Sequence, residues 1–134
     1  MVSEFTLEIV TPDRKFFEDK VEMVIVRGIE GDIGILKNHT PLVTPLDIGK
    51  IRIKQNGEFR IAAVASGYIE VAKEKTTIIA DAAEWPEEID VDRAKAAKER
   101  AEKRLKGSGG EKDTLRAEIS LKKAINRLEV AKHR

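Results

Sequence analysis

The chain has 134 residues, 37% of them charged, with a net charge of +1, two histidines and no cysteine. That length fits one domain or a domain with an appendage. No apolar run approaches the roughly 20 residues that span a bilayer, and the start Met1-Val-Ser-Glu-Phe5 lacks the basic-then-apolar order of a signal peptide.

Without cysteine there are no disulfides and no thiolate metal sites, a usage that fits a reducing cytosol. His39 and His133 alone do not make a structural zinc site. The charge is unevenly spread. Residues 1–85 carry 11 Lys/Arg against 14 Asp/Glu, a net of −3, and residues 86–134 carry 14 against 10, a net of +4. The basic half suits an acidic partner, nucleic acid or a phosphate ligand. The same charges also suit a plain solvated helix face.

Residues 1–85 read as strands. Phe5-Thr-Leu-Glu-Ile-Val10 alternates polar and apolar, and Thr11-Pro-Asp-Arg14 reads as a turn with Pro at its second position. Val21 to Val26 is a more continuous apolar strand. Gly28, Gly31 and Gly34 have neither the G-x-G-x-x-G nor the G-K-[ST] pattern of a phosphate loop, so they read as turn glycines. His39 stands in a polar loop without a nearby carboxylate or nucleophile. Ile51–Lys54 and Glu58–Ala62 flank Asn56-Gly57, the strongest short hairpin signal. Tyr68–Ala72 and Thr76–Ala80 flank a tight turn at Lys73–Lys75. Short strands at this spacing predict a sandwich or barrel. The predicted core includes Leu7, Ile9, Val24, Val26, Ile51, Ile53, Ile61, Val64, Ile69, Val71 and Ile78.

The texture changes at Glu84-Trp-Pro-Glu-Glu-Ile-Asp-Val-Asp-Arg-Ala94, which sets a boundary between units 1–85 and 86–134. Asp90 or Asp92 can cap a helix starting near Val91, with a stripe of Val91, Ala94, Ala97 or Ala101, and Leu105. Gly107-Ser-Gly-Gly110 ends it. Asp113 or Thr114 can cap a second helix, whose stripe is Ala117, Leu121, Ala124, Leu128 and Ala131. The expected object is an antiparallel helical hairpin. Its seam is mostly Ala, with Leu105, Leu115, Leu121, Ile125 and Leu128 as the large members, so packing alone holds it weakly. Such a hairpin should dock, open or rearrange.

Cations mark its faces. Arg93 and Arg100 are seven residues apart, and Arg116, Lys123 and Arg127 follow at i, i+7 and i+11. If those faces close together, five like charges converge, at about 1 kcal/mol or more each near a surface. A polyphosphate would relieve that repulsion. Pairing with Glu99, Glu102 and Glu118 on a wet surface is the plainer alternative.

At this point the residues match a known family. The chain resembles the epsilon subunit of bacterial F-type ATP synthase, the counterpart of mitochondrial delta, most of all in thermophilic Bacillus-type bacteria. The carriers are Thr11-Pro-Asp-Arg14, the run from Val26 to Leu42 that includes Gly31-Asp-Ile-Gly-Ile-Leu-Lys-Asn-His-Thr-Pro41, and Ser66-Gly-Tyr-Ile-Glu-Val71. In the helical half they are Ile89-Asp-Val-Asp-Arg-Ala94 and Ala97-Lys-Glu-Arg-Ala101.

The resemblance implies an α+β chain, with a ten-stranded β-sandwich followed by the two-helix hairpin. The sandwich would sit on the gamma subunit and touch the c-ring. The helices would switch between a folded hairpin and an extended form that reaches the alpha and beta subunits of F1 and inhibits ATP hydrolysis. It implies no catalysis by the subunit itself and no nucleic-acid partner. Membrane association, at the cytoplasmic face of the cell membrane, would come only through the complex.

In relatives with this motif the folded hairpin binds ATP, with Mg²⁺ as a possible companion. Family adenine contacts fall on Glu84, Ile89, Asp90 and Ala94. Family phosphate contacts fall on Arg93, Arg100, Arg116 and Arg127, with Lys123 where an Arg is familiar. Lys keeps the charge but lacks the bidentate fork. Asp92 stands where an apolar residue is familiar. Two other readings remain: the same subunit with a purely mechanical hairpin, and a basic adaptor for nucleic acid, which lacks interleaved aromatics. No nucleophile, acid pair or metal set supports an enzyme.

Overall fold

The computed structural model describes residues 3–107 and 109–134. The chain folds as two compact units, Met1–Glu84 and Trp85–Arg134. The first unit is all β. Its strands are β1 (Phe5–Val10), β2 (Lys15–Val21), β3 (Met23–Gly28), β4 (Gly31–Ile35), β5 (Leu42–Leu46), β6 (Gly49–Gln55), β7 (Glu58–Val71) and β8 (Lys75–Glu84). Among the described residues there are thus eight strands and not the ten expected.

The long β7 accounts for much of that difference. Its first part pairs with β6, from Glu58↔Gln55 to Val64↔Gly49, and its second with β5, from Gly67↔Leu46 to Val71↔Leu42. The stretches read from sequence as 58–62 and 68–72 are therefore one strand. Its two parts meet at Ser66 and Gly67, which have φ of 44° and 140°. Ser66 Oγ donates to Asp81 Oδ2 at 2.9 Å across the gap. Only Gly fits at 67, because a Cβ there would lie 2.0 Å from the Ile79 carbonyl oxygen.

The strands run in the order β2-β1-β8-β7-β5-β3-β4, with β6 pairing both β3 and β7. β1 and β8 are parallel and the other pairs are antiparallel. The end of β2 also meets β6: Glu22 N–H donates to the Lys54 carbonyl at 2.8 Å, and Gln55 Nε2 to the Lys20 carbonyl at 2.9 Å. The sheet therefore folds over as a sandwich around Leu7, Ile9, Val24, Val26, Ile51, Ile53, Ile69 and Ile78, each no more than 1% exposed. Ile61 is only half-buried, since Ala62, facing Ile51, takes the core position. Asn56 and Gly57 both have positive φ, as their hairpin turn requires.

The second unit holds a 3-10 turn (Pro86–Glu88) and two helices, α1 (Val91–Lys106) and α2 (Glu111–Ala131). α2 starts earlier than Asp113 or Thr114. Gly110 is its N-cap, no side chain caps it, and Glu111 and Asp113 meet its positive end. Of the expected turn Gly107–Gly110, Ser108 lies outside the described residues. The seam is poorer in large side chains than its pattern suggests. Leu115 and Ile125 are 56% and 41% exposed, while Ala94, Ala101, Ala117 and Ala124 are at most 2% exposed. A fully buried Leu contributes roughly 1.5–3 kcal/mol, and this seam has none among the described residues.

Candidate functional site

The approach to α1 is fixed by hydrogen bonds from its backbone amides. Pro86 opens the 3-10 turn, where its missing N–H costs nothing. Trp85 N–H donates to Glu88 Oε1 at 2.9 Å, and Ile89 N–H to the Pro86 carbonyl at 3.3 Å. Asp90 then caps α1, its Oδ1 accepting from Arg93 N–H at 3.0 Å. Asp92 is not the cap. It sits in the first turn, where the helix dipole favours a carboxylate.

The buried alanines set the phase of both helices. At 3.6 residues per turn, a neighbour in sequence lies about 100° round the helix. The residues just after the seam positions in α1 and α2 share a groove of about 390 Å³, lined by Val91, Lys95, Lys98, Ile125, Leu128 and Lys132, among others. The residues just before the seam positions consequently share the opposite face. They are Arg93, Arg100 and Arg104 on α1, and Arg116, Lys123 and Arg127 on α2, ahead of Ala94, Ala101, Leu105, Ala117, Ala124 and Leu128. The hairpin thus carries a cation face on one side and a lysine-rimmed groove on the other.

Arg104 does not stand out in the sequence, yet it continues the row at i+11 from Arg93. The repeated cation–Ala or cation–Leu dipeptide is the signal that finds it. Among the described residues, Arg93, Arg100, Arg104, Arg116 and Lys123 form no salt bridge. Pairing with Glu99, Glu102 and Glu118 does not occur there. Arg127 is half-buried and engaged with other groups.

The other expected contacts are placed differently. Ile89 is 2% exposed and Ala94 is fully buried, so neither side chain faces solvent in this arrangement. Glu84 ends β8 in the first unit, half-buried and paired in register with Ala63. No group of His, Asp and Glu among the described residues could hold a metal ion, and no described helix is long and apolar enough to cross a membrane.

Residues 4–86 match the model of the ATP synthase delta/epsilon chain β-sandwich domain, and residues 87–132 that of the delta/epsilon chain long α-helix domain. The chain belongs to the ATP synthase delta/epsilon family. It is 63% identical to the ATP synthase epsilon chain of Alkaliphilus oremlandii over 111 residues, 83% of each chain. It is 52% identical to that of Caldicellulosiruptor saccharolyticus over 133 residues, 99% of this chain and 97% of the relative. Its fold matches a chain of the Euglena gracilis mitochondrial ATP synthase with a TM-score of 0.83, at 24% identity, covering 99% of this chain and 84% of that one. An epsilon chain is a non-catalytic subunit of ATP synthase.

Proposed function

We propose that this epsilon chain is part of the central stalk, and that its hairpin is an ATP-controlled brake on ATP hydrolysis. The sandwich would bind the gamma subunit and the c-ring and so hold the chain at the cytoplasmic face of the cell membrane. The Euglena chain of like fold comes from an assembly of OSCP, F1 and c-ring, which is in line with a place in the central stalk.

The observation that carries the ATP reading is the cation face. Arg93, Arg100, Arg104, Arg116 and Lys123 lie on one side of the two helices without carboxylate partners among the described residues, over a seam of alanines, and Arg127 lies in the same row but is already engaged. Closing the hairpin gathers like charges, and little apolar burial offsets the repulsion. A triphosphate supplies the missing negative charge. Arg93, Arg100, Arg116, Lys123 and Arg127 would take the phosphates, with Arg104 beside them. Asp90 Oδ1 is committed to the helix cap, so its other oxygen would accept from the adenine amino group. Ile89 and Ala94 would contribute backbone and close packing rather than side-chain contact. The contact expected of Glu84 rests on the family resemblance alone.

Regulation then follows from linkage. A ligand that binds only the closed hairpin stabilises it by RT ln(1 + [L]/Kd), roughly 1.4 kcal/mol at ten times Kd. That is enough to move a balanced switch about tenfold. When ATP falls, repulsion opens the hairpin and frees the basic helices for acidic surface on the alpha and beta subunits. Calorimetric titration of ATP into the full chain tests the site. Binding should weaken at least tenfold in Arg93→Gln with Arg116→Gln, and equal binding by that double variant overturns the assignment.

A further inference from the structure

We infer that Arg134 is the latch of the closed hairpin and the positioning residue of its ATP site; the second half of this statement rests on the ATP reading above. Arg134 lies three residues beyond the end of α2. The chain there turns tightly, with Lys132 N–H bonded to the Glu129 carbonyl at 3.3 Å and His133 N–H to the Val130 carbonyl at 2.9 Å. The Arg134 guanidinium reaches back to the base of α1. Its Nε donates to the Pro86 carbonyl at 3.2 Å and its Nη2 to the Ile89 carbonyl.

The Pro86 carbonyl already accepts from Ile89 N–H, but the Ile89 carbonyl needs a partner. The first amides of α1 are taken, Arg93 N–H by the Asp90 carboxylate and Ala94 N–H by the Asp90 carbonyl. The Ile89 carbonyl therefore stands outside the helical ladder, on a residue that is 2% exposed. A poorly solvated acceptor is costly to leave unmade. Arg134 satisfies it, and its fixed fork spans both acceptors, which a single ammonium cannot reproduce.

The latch acts on the peptide that joins Ile89 to Asp90. Asp90 is at once the cap of α1 and the expected adenine contact. Opening the hairpin pulls Arg134 away from that peptide, and loosening the peptide misplaces Asp90. Closure and site geometry are thus held by one side chain that is not itself on the cation face.

The test uses the full chain, whose lack of cysteine makes two introduced thiols unique. Spin labels at Lys95→Cys and Glu129→Cys, both exposed, report the distance between the helices. Without ATP, Arg134→Ala should lower the closed-to-open ratio about tenfold, the scale of a net hydrogen bond from a charged donor, and Arg134→Lys should fall between it and wild type. With ATP, Arg134→Ala should weaken binding several-fold and leave the salt dependence of binding unchanged, since no phosphate contact is lost. Unchanged distances in Arg134→Ala overturn the latch. A shifted distance with unchanged ATP affinity overturns the positioning role. If wild type binds no ATP while Arg134→Ala still opens, the ATP reading falls and the latch stands.

Discussion

The Asp90 carboxylate and the Arg93 backbone N–H are joined by a 3.0 Å hydrogen bond that caps α1. One residue expected at the base of a nucleotide and one expected at its phosphates are therefore held by the same helix start. On the proposed reading Asp90 has two separable jobs, the cap and an adenine contact. Asn caps about as well as Asp, whereas Ala loses roughly 1 kcal/mol. Asp90→Asn should keep the helicity of the hairpin and Asp90→Ala should reduce it, as read by circular dichroism on melting. Both should weaken ATP binding. An Asp90→Asn chain that binds ATP like wild type would leave the carboxylate with the cap alone.

The cation face makes a prediction of opposite signs. Arg100→Gln or Arg116→Gln removes one of the charges that repel on closure. Without nucleotide, the closed hairpin should gain up to about 1 kcal/mol at low salt, and less as salt screens the face. With nucleotide, the same variants should lower affinity about tenfold. Hydrogen exchange of the α1 and α2 amides, with and without ATP, reads both effects. Loss of closure in both conditions would show that these residues hold the hairpin by packing instead.

The alanine seam is a spacing device. Ala117 is fully buried, and a larger side chain there has nowhere to go. Ala117→Leu should cost the closed form roughly 1–3 kcal/mol through overpacking, with α2 itself still helical. The inter-helix distance should lengthen while the sandwich melts as in wild type.

The sandwich has its own pH signature. Glu8 and Glu18 face Lys75 and Lys15 in one network, with Lys75 Nζ 2.8 Å from Glu8 and Lys15 Nζ 2.9 Å from Glu18. The Lys75 and Lys15 hydrogen bonds hold the Glu8 carboxyl below the usual carboxylate range, and Lys15 does the same for Glu18. The partner ammoniums are raised, Lys15 chiefly by Glu18 and Lys75 chiefly by Glu8. For the carboxylates, the stabilisation is present above their unfolded pKa and fades as pH falls through the lowered folded values. For the lysines it is present below their ordinary value and fades as pH rises through the raised ones. Melting temperature should therefore be flat near neutrality and drop in acid. Glu8→Gln should make the acid drop shallower at low salt, and the difference should shrink in high salt.

Much of the fold could be read from period and turn chemistry. β1 alternates cleanly, Asn56-Gly57 takes the positive φ its turn demands, and Asp90 begins α1. The strands that the sequence does not announce lack those signals. β2 is mostly charged on its outer face, β4 reads Gly-Asp-Ile-Gly-Ile, and β5 contains Pro45. Pro45 is tolerated because β5 pairs with β7 along its length but meets β3 only at Leu46↔Gly28. The cation face is visible as i+7 spacing, although Arg104 does not stand out in it. Arg134 is not visible at all, because its partners are the Pro86 and Ile89 carbonyls, and sequence does not show that the Ile89 carbonyl is left without an amide.

If ATP binding and hairpin closure are one equilibrium, the Lys95→Cys to Glu129→Cys label distance must change as ATP is titrated into the full chain. The long-distance population should disappear with the midpoint found by calorimetry, and Arg93→Gln with Arg116→Gln should abolish the response. Saturating ATP binding with an unchanged distance distribution overturns the linkage.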